Sequence, residues 1–324
     1  MSDVHPPTEL YDEIGVGYTT NRCADYRIEQ QILDALGNAQ SIVNVGAGTG
    51  AYEPADRDVL AVEPSAVMRA QRPPDAARCI DACAESLPLP DDSFDAAMAL
   101  LSLHRWSDWR AGVRELRRVA RERVVILTYD PAHPARSWLM RDYLPELAQL
   151  DVERFPPIEE QAAATGEATT VEAVPLPHDC RDGFLGAYWR RPHAYLDPEI
   201  RAGISTFHLP GAESLLGGLD RLAEDLESGR WARRYHDILD ARSLTLVIAS
   251  SRPRSNPAHT QAAIRSASGL SVWSRAHDYD RTPEARGAQR ACRAADAAAI
   301  ESRWASCDTY CLSPGIPQPG ATPN

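Results

Sequence analysis

The 324-residue chain carries a formal charge of −12 and a 44% hydrophobic fraction, which argues against a nucleic-acid surface, where a basic patch is the rule. All 34 basic residues are arginine, so a Schiff-base lysine, a P-loop lysine and a lysine general base are excluded. The length admits one large domain with appendages or two modest domains.

Asp25 to Leu36 places Ile28, Ile32, Leu33 and Leu36 at helical spacing, and Gly37-Asn38 stops the helix. Ile42–Val45 reads as a short apolar strand that runs into Gly46-Ala47-Gly48-Thr49-Gly50. A second strand, Val59–Val62, ends in Glu63; Ser65 caps a helix from Ser65 to Gln71, and Pro73-Pro74 ends it. Arg78–Ile80 begins a third strand and Phe94–Leu101 is a fourth, nearly all apolar, as suits a strand buried on both faces. Trp106 to Val119 is expected to be helical, and Val124–Leu127 is a fifth strand. Strands alternating with helices predict βαβ units, a mostly parallel sheet, and a ligand site beyond the strand C-termini.

Past Pro131 the pattern changes. Ala135–Leu150 and Ala212–Leu226 are expected helices, and Thr169–Val174 and Ser243–Ser250 expected strands, the latter central or near an edge. The aromatic and charged stretch from Cys180 to Pro192 is either a cap over a pocket mouth or a surface helix packing on the sheet, and 131–229 reads as a cap-like insertion. From about residue 253 periodicity fades into Ser, Ala, Arg, Gly and Pro, the expectation being a disordered tail.

The seven cysteines form no CxxC pair, so they read as reduced thiols, with no metal site and no disulfide framework. The first residues lack a basic-then-apolar leader pattern, and no apolar run reaches membrane-span length; the expectation is a soluble, cytoplasmic protein without a membrane span.

The chemistry concentrates in the glycine segment and Glu63. Glycine tolerates positive φ and lets a ligand approach the backbone; an acid at the tip of the next strand accepts hydrogen bonds from ribose hydroxyls. Gly46-x-Gly48-x-x-Ala51 also fits a GxGxxA loop that binds NADP, so an NADP oxidoreductase is one reading. Further features separate the readings: Gly50 as a third glycine, the segment Ala84-Glu85-Ser86-Leu87-Pro88 before the fourth strand, and His104-Arg105-Trp106 after it.

On these residues the chain resembles a class I S-adenosylmethionine-dependent methyltransferase of the methyltransferase type 11 group, which includes the ubiquinone/menaquinone C-methyltransferases. The resemblance runs from about Tyr11 to Ser251 and is strongest from Ile42 to Asp130. It implies a Rossmann-like, doubly wound α/β fold with a mostly parallel seven-stranded sheet. It also implies S-adenosyl-L-methionine as cofactor, and methyl transfer to a small-molecule acceptor by in-line displacement. The implied cofactor-binding residues are Gly46, Ala47, Gly48, Gly50, Glu63, Ala84, Glu85 and Leu101, with Tyr18 and Arg22 from an N-terminal segment that closes over the site. Cys83 stands where an Asp is usual, leaving the adenine contact to Glu85 or a backbone carbonyl; Arg105 replaces a second His. His104 is the candidate general base, with a packing role beside Trp106 as its alternative. Tyr129 and Asp130, at the end of the fifth strand, are the next candidates for the base, with Asp130-Pro131 as a turn the alternative. His178, Tyr188, Trp189 and His193 either line an acceptor pocket or decorate a cap, and a non-catalytic cofactor-binding protein on the same fold is the second functional reading.

Overall fold

The structure is a computed structural model, and it describes residues 22–129, 137–147, 156–166, 168–208, 215–240 and 243–251. The chain divides into two units, Met1–Arg265 and Ser266–Asn324. The second unit and the expected tail boundary at 252/253 lie outside the described residues, as do Tyr18 and Asp130. No helix among the described residues is long and apolar enough to cross a membrane, and none of their His, Cys, Asp and Glu side chains group into a metal site.

Helix α1 (Tyr26–Leu36) starts where expected because the Asp25 carboxylate accepts the Arg27 N–H as N-cap. It ends at Gly37, whose φ of 56° is left-handed. Ile28, Ile32 and Leu36 are fully buried, each contributing roughly 1.5–3 kcal/mol of transfer free energy. Strand β1 (Ser41–Val45) pairs in parallel with β2 (Asp58–Val62), and β2 with β3 (Arg78–Ile80). Helix α2 (Ala66–Ala70) follows β2, with the Ser65 hydroxyl capping the Met68 N–H. Strand β4 (Phe94–Leu100) lies on the other side of β1; helix α3 (Trp109–Val119) and β5 (Ala120–Thr128) come next, β5 pairing parallel to β4. The remaining regular elements are α4 (Ile158–Thr165), β6 (Thr169–Pro177), α5 (Pro198–Ala202), α6 (Leu216–Glu227), α7 (Arg230–Arg234), α8 (His236–Asp240) and β7 (Ser243–Ser251). A π-helical turn spans Leu139–Tyr143, within the stretch expected to be helical.

The seven strands lie in the order β3-β2-β1-β4-β5-β7-β6, and β7 runs antiparallel to both β5 and β6. Strand alternation sends Ala96, Met98, Val125 and Leu127 to one face, with α1. Ala97, Ala99, Val124 and Ile126 go to the other, with Val113, Leu116 and Val119 of α3. The sheet is therefore covered on both sides, as the apolar strands require. The aromatic stretch forms a packed layer on the α1 face. Trp138, Tyr188, Trp189, Tyr195, Trp231 and Tyr235 are all buried there, with Trp138 meeting Tyr195 and Trp231 edge-on at ring-centroid distances of 5.8 and 5.1 Å.

At the opposite end from the cleft, Asp95 staples β1 to β4. Its carboxylate accepts the N–H groups of Gln40 and Ser41, both at 2.9 Å, and Arg121 at 2.7 Å. The Ser41 N–H and the Arg121 guanidinium hold this carboxyl well below the usual carboxylate range. Asp95→Ala is expected to lower stability by about 1–3 kcal/mol through the unpaired N–H groups, measured by urea denaturation. A depressed folded pKa means this contribution is present above the unfolded value of about 3.9 and is lost only as pH falls through the lower folded value.

Candidate cofactor cleft

The site sits at the C-terminal edge of β1, β2 and β4, in a cleft of about 270 Å³. The turn after β1 is drawn tight because the N–H groups of Gly46 and Ala47 both donate to the Val62 carbonyl, at 2.9 and 3.1 Å. Gly46 has φ 72°, and a Cβ there would come within 2.6 Å of the Ser102 Cβ, so glycine is required on two counts. Gly48 has φ 54° and lines the cleft; only the mobile Met68 Cε would lie near its Cβ, at 3.3 Å.

Glu63, at the tip of β2, is buried and spans the turn. Its Oε2 accepts the Gly48 N–H at 2.8 Å and its Oε1 accepts the Ser65 N–H at 2.9 Å. Burial pushes its pKa above the usual glutamate range, against the pull of those two N–H groups. A carboxylate offers about four acceptor positions, and two are used by these bonds. Behind the turn, Asn44 donates through Nδ2 to Glu53 Oε1 at 3.1 Å, and Glu53 forms a buried ion pair with Arg72 at 2.7 Å. Because Glu53 fixes the amide orientation, Asn44 Oδ1 is left buried with no hydrogen-bond partner, and Asn44 lines the cleft. An orphaned acceptor and an under-solvated carboxylate flank the same glycine turn. They fit a ligand that brings both a cationic or N–H donor and a pair of hydroxyls.

Of the expected cofactor-binding residues, Arg22, Gly46, Ala47, Gly48, Glu63, Ala84, Glu85 and Leu101 all line the cleft, although they come from five separate segments. Leu101 turns out of β4 with φ 52°, its N–H on the Leu127 carbonyl. Gly50 is not among the lining residues; it faces Arg72 and Glu53 behind the turn. Neither is His104, although its neighbours Ser102, Arg105 and Trp106 are. Glu85 lies in the lining, but its Oε1 accepts the N–H groups of Ser107 and Asp108 at 2.7 and 3.2 Å and the Ser107 hydroxyl at 2.8 Å. It thereby holds the turn that leads into α3. On the acceptor side, Tyr188 and Trp189 are buried in the aromatic layer, while His178 and His193 are exposed. Cys83, at the motif position where an Asp is usual, also lines the cleft, as do Thr49, Tyr52, Ser65 and Met68, which no local pattern singles out for that role.

The comparisons with known proteins agree with this geometry. A family described as Methyltransferase domain matches residues 43–128. A solved structure from Anabaena variabilis ATCC 29413, assigned as a methyltransferase from an antibiotic biosynthesis pathway, is 35% identical with a TM-score of 0.66, covering 71% of this chain and 98% of that one. A 2-methyl-6-phytyl-1,4-hydroquinone methyltransferase of Oryza sativa subsp. japonica is 30% identical over 144 residues, 41% of this chain and 40% of that protein. A malonyl-[acyl-carrier protein] O-methyltransferase of Halorhodospira halophila is 29% identical over 136 residues, 38% of this chain and 45% of that protein. The chain thus spans less than half the length of these curated relatives. Its sheet, its glycine turn and its family match all lead to one assignment: the chain belongs to the class I S-adenosylmethionine-dependent methyltransferases, in the methyltransferase type 11 group.

Proposed function

We propose that this protein binds S-adenosyl-L-methionine in the cleft and transfers its methyl group to a small-molecule acceptor. The observation that carries the reading is the buried Glu63 carboxylate, bonded to the Gly48 N–H, beside a glycine turn that opens no helix. In a dinucleotide site the glycine loop leads directly into a helix whose N-terminus receives the pyrophosphate. Here residues 46–57 pass from β1 to β2 through turns alone, so that dipole is missing. The insertion of β7 between β5 and β6 also departs from the 3-2-1-4-5-6 order of dinucleotide-binding sheets. A carboxylate at the tip of β2 suits ribose hydroxyls and opposes a 2′-phosphate.

In this reading Glu63 accepts the ribose hydroxyls, and the Gly46–Gly48 backbone and Asn44 Oδ1 receive the amino-acid end. Ala84, Glu85 and Leu101 bound the adenine side, and Arg22, which lines the cleft, pairs with the carboxylate. The bound cofactor supplies an electrophilic sulfonium methyl. The chain's own contribution is alignment and exclusion of water. Trp106, Met68 and Tyr52 give the cleft apolar walls, Glu85 fixes the turn that carries Trp106, and the Arg72–Glu53 pair stiffens the glycine turn from behind. The acidic charge of the chain favours a small acceptor over a nucleic acid.

Calorimetry tests the reading: S-adenosylmethionine and S-adenosylhomocysteine are expected to saturate the protein, and NADPH to give no heat. Tight NADPH binding without sulfonium binding would overturn it. Release of S-adenosylhomocysteine with a panel of phenols, amines and quinone precursors then distinguishes turnover from binding alone.

A further inference from the structure

Asp182 lies in the aromatic insertion, 160 positions from Arg22, and is fully buried. Its carboxylate takes the edge of the Arg22 guanidinium through two bonds, Nε to Oδ1 at 2.5 Å and Nη2 to Oδ2 at 3.2 Å. The Tyr52 hydroxyl, two positions beyond the glycine segment, donates to the same Oδ2 at 3.0 Å. The Asp25 N–H donates to that hydroxyl at 3.3 Å, and Asp25 in turn accepts the Arg181 N–H at 3.1 Å. Burial and then the neighbouring Asp182 charge push the Tyr52 pKa far up, so the phenol stays protonated and remains a donor. Arg22 and Tyr52 both line the cleft, whereas Asp182 does not.

A buried carboxylate and arginine cost several kcal/mol to desolvate, and leaving either one alone costs more than the pair contributes. A fold that needed only to fill this space would do as well with apolar side chains. What the pair adds is direction: a side-on bidentate bond fixes the plane of the guanidinium.

Resting on the cofactor reading above, we infer that Asp182, braced by Tyr52, is a positioning residue that holds Arg22 against the amino-acid end of the cofactor. The insertion thereby controls recognition of the cofactor's carboxylate, while the adenosine end is gripped independently by Glu63 and the β4 side of the cleft.

The test uses two ligands of the full-length protein, S-adenosylhomocysteine and 5′-methylthioadenosine, which keeps the adenosine and sulfur but lacks the amino-acid carbons. In calorimetry, Asp182→Asn is expected to weaken S-adenosylhomocysteine binding about 10- to 100-fold, the range that misplacement of a positioning group produces. Binding of 5′-methylthioadenosine stays within about twofold. Asp182→Glu is expected to recover part of the loss. Should Asp182→Asn fail to fold, Tyr52→Phe, which leaves the ion pair in place, is expected to give a smaller loss with the same ligand selectivity. Equal losses for both ligands, or unchanged S-adenosylhomocysteine affinity in a folded Asp182→Asn protein, would refute the positioning role alone. A wild-type protein that binds neither ligand would refute the cofactor reading and this inference with it.

Discussion

Glu63→Gln is expected to weaken cofactor affinity by about 10²–10⁴-fold while leaving the fold intact. The two oxygens of Glu63 accept N–H groups from Gly48 and Ser65, and an amide can offer an oxygen to only one of them. Its NH₂ group then faces a backbone donor, and one side of the turn loses its anchor. The ribose loses its charged acceptor as well. Hydrogen bonds to charged groups are worth about 1.5–3 kcal/mol each, so losing two corresponds to a weakening of about 10²–10⁴-fold. Stability follows a different sign. Because burial raises the pKa of Glu63, the ionised side chain costs the empty protein stability at neutral pH. Its contribution is fully present below the unfolded value of about 4.3 and is lost as pH rises through the higher folded value. Removing the charge therefore offsets part of the lost anchoring, and the melting temperature at pH 7.5 is expected to move by only a few degrees. Cofactor affinity runs the opposite way, because the ribose needs the ionised acceptor. Binding of S-adenosylhomocysteine to the wild-type protein should weaken as pH falls from 7.5 toward the raised value, and the Gln variant should lack this pH dependence. Calorimetry at several pH values measures it; wild-type affinity in a folded Glu63→Gln protein would defeat the assignment.

The half of the site that rests on β1 and β2 is legible in the sequence because its signals are local. Apolar strands, a run of glycines, an acid at a strand tip and a Ser N-cap each follow from their own neighbourhood, and each lies where it was expected. The polar network of Arg22, Tyr52 and Asp182 is not local. Arg22 is an expected cofactor residue, but nothing in its neighbourhood or that of Tyr52 points to the buried acid from the insertion that the fold brings to meet them. Helix α4 is missed for another reason: it buries Gln161 and Thr165 beside Ile158, so its inward face lacks the apolar repeat that marks a helix. Glu85 was expected at the adenine; it lines the cleft, and its Oε1 also accepts the N–H groups of the Ser107–Asp108 turn. That bond also explains why α3 begins at Trp109 rather than Trp106. Asp108 caps the helix through the Ala111 N–H at 2.9 Å, and Trp106 stays outside it to line the cleft. The aromatic stretch illustrates the limit of composition. Tyr188 and Trp189 suit a pocket as well as a core, and the fold uses them to pack the layer over α1.

Gly112→Ala carries the second large effect, and its sign is opposite to what helix propensity alone dictates. Alanine is better than glycine inside a helix by about 0.8–1.0 kcal/mol, and Gly112 sits in the first turn and a half of α3 with its N–H on the Asp108 carbonyl at 3.0 Å. A Cβ at this position would lie 2.3 Å from Trp106 Cε3 and 2.6 Å from Cζ3. Ordinary contact begins at 3.4 Å, so the ring has to retreat by about 1 Å (3.4 less 2.3). The indole is already held on its other side. A Cβ on Gly46 would stand 3.5 Å from Trp106 Nε1, which places the ring between α3 and the glycine turn. Moving it therefore presses on the cleft itself. Overpacking of this kind costs about 1–3 kcal/mol, so the variant is expected to be less stable than the wild type despite the gain in propensity. Its cofactor affinity is expected to fall by about tenfold or more as the wall shifts. A double-mutant cycle separates the causes. In a Trp106→Ala background the obstruction is gone, so Gly112→Ala should become neutral or stabilising, giving a coupling of about 1–3 kcal/mol. Urea denaturation of the four proteins reads the cycle, and a Gly112→Ala single variant more stable than wild type would mean that Trp106 does not lie against α3.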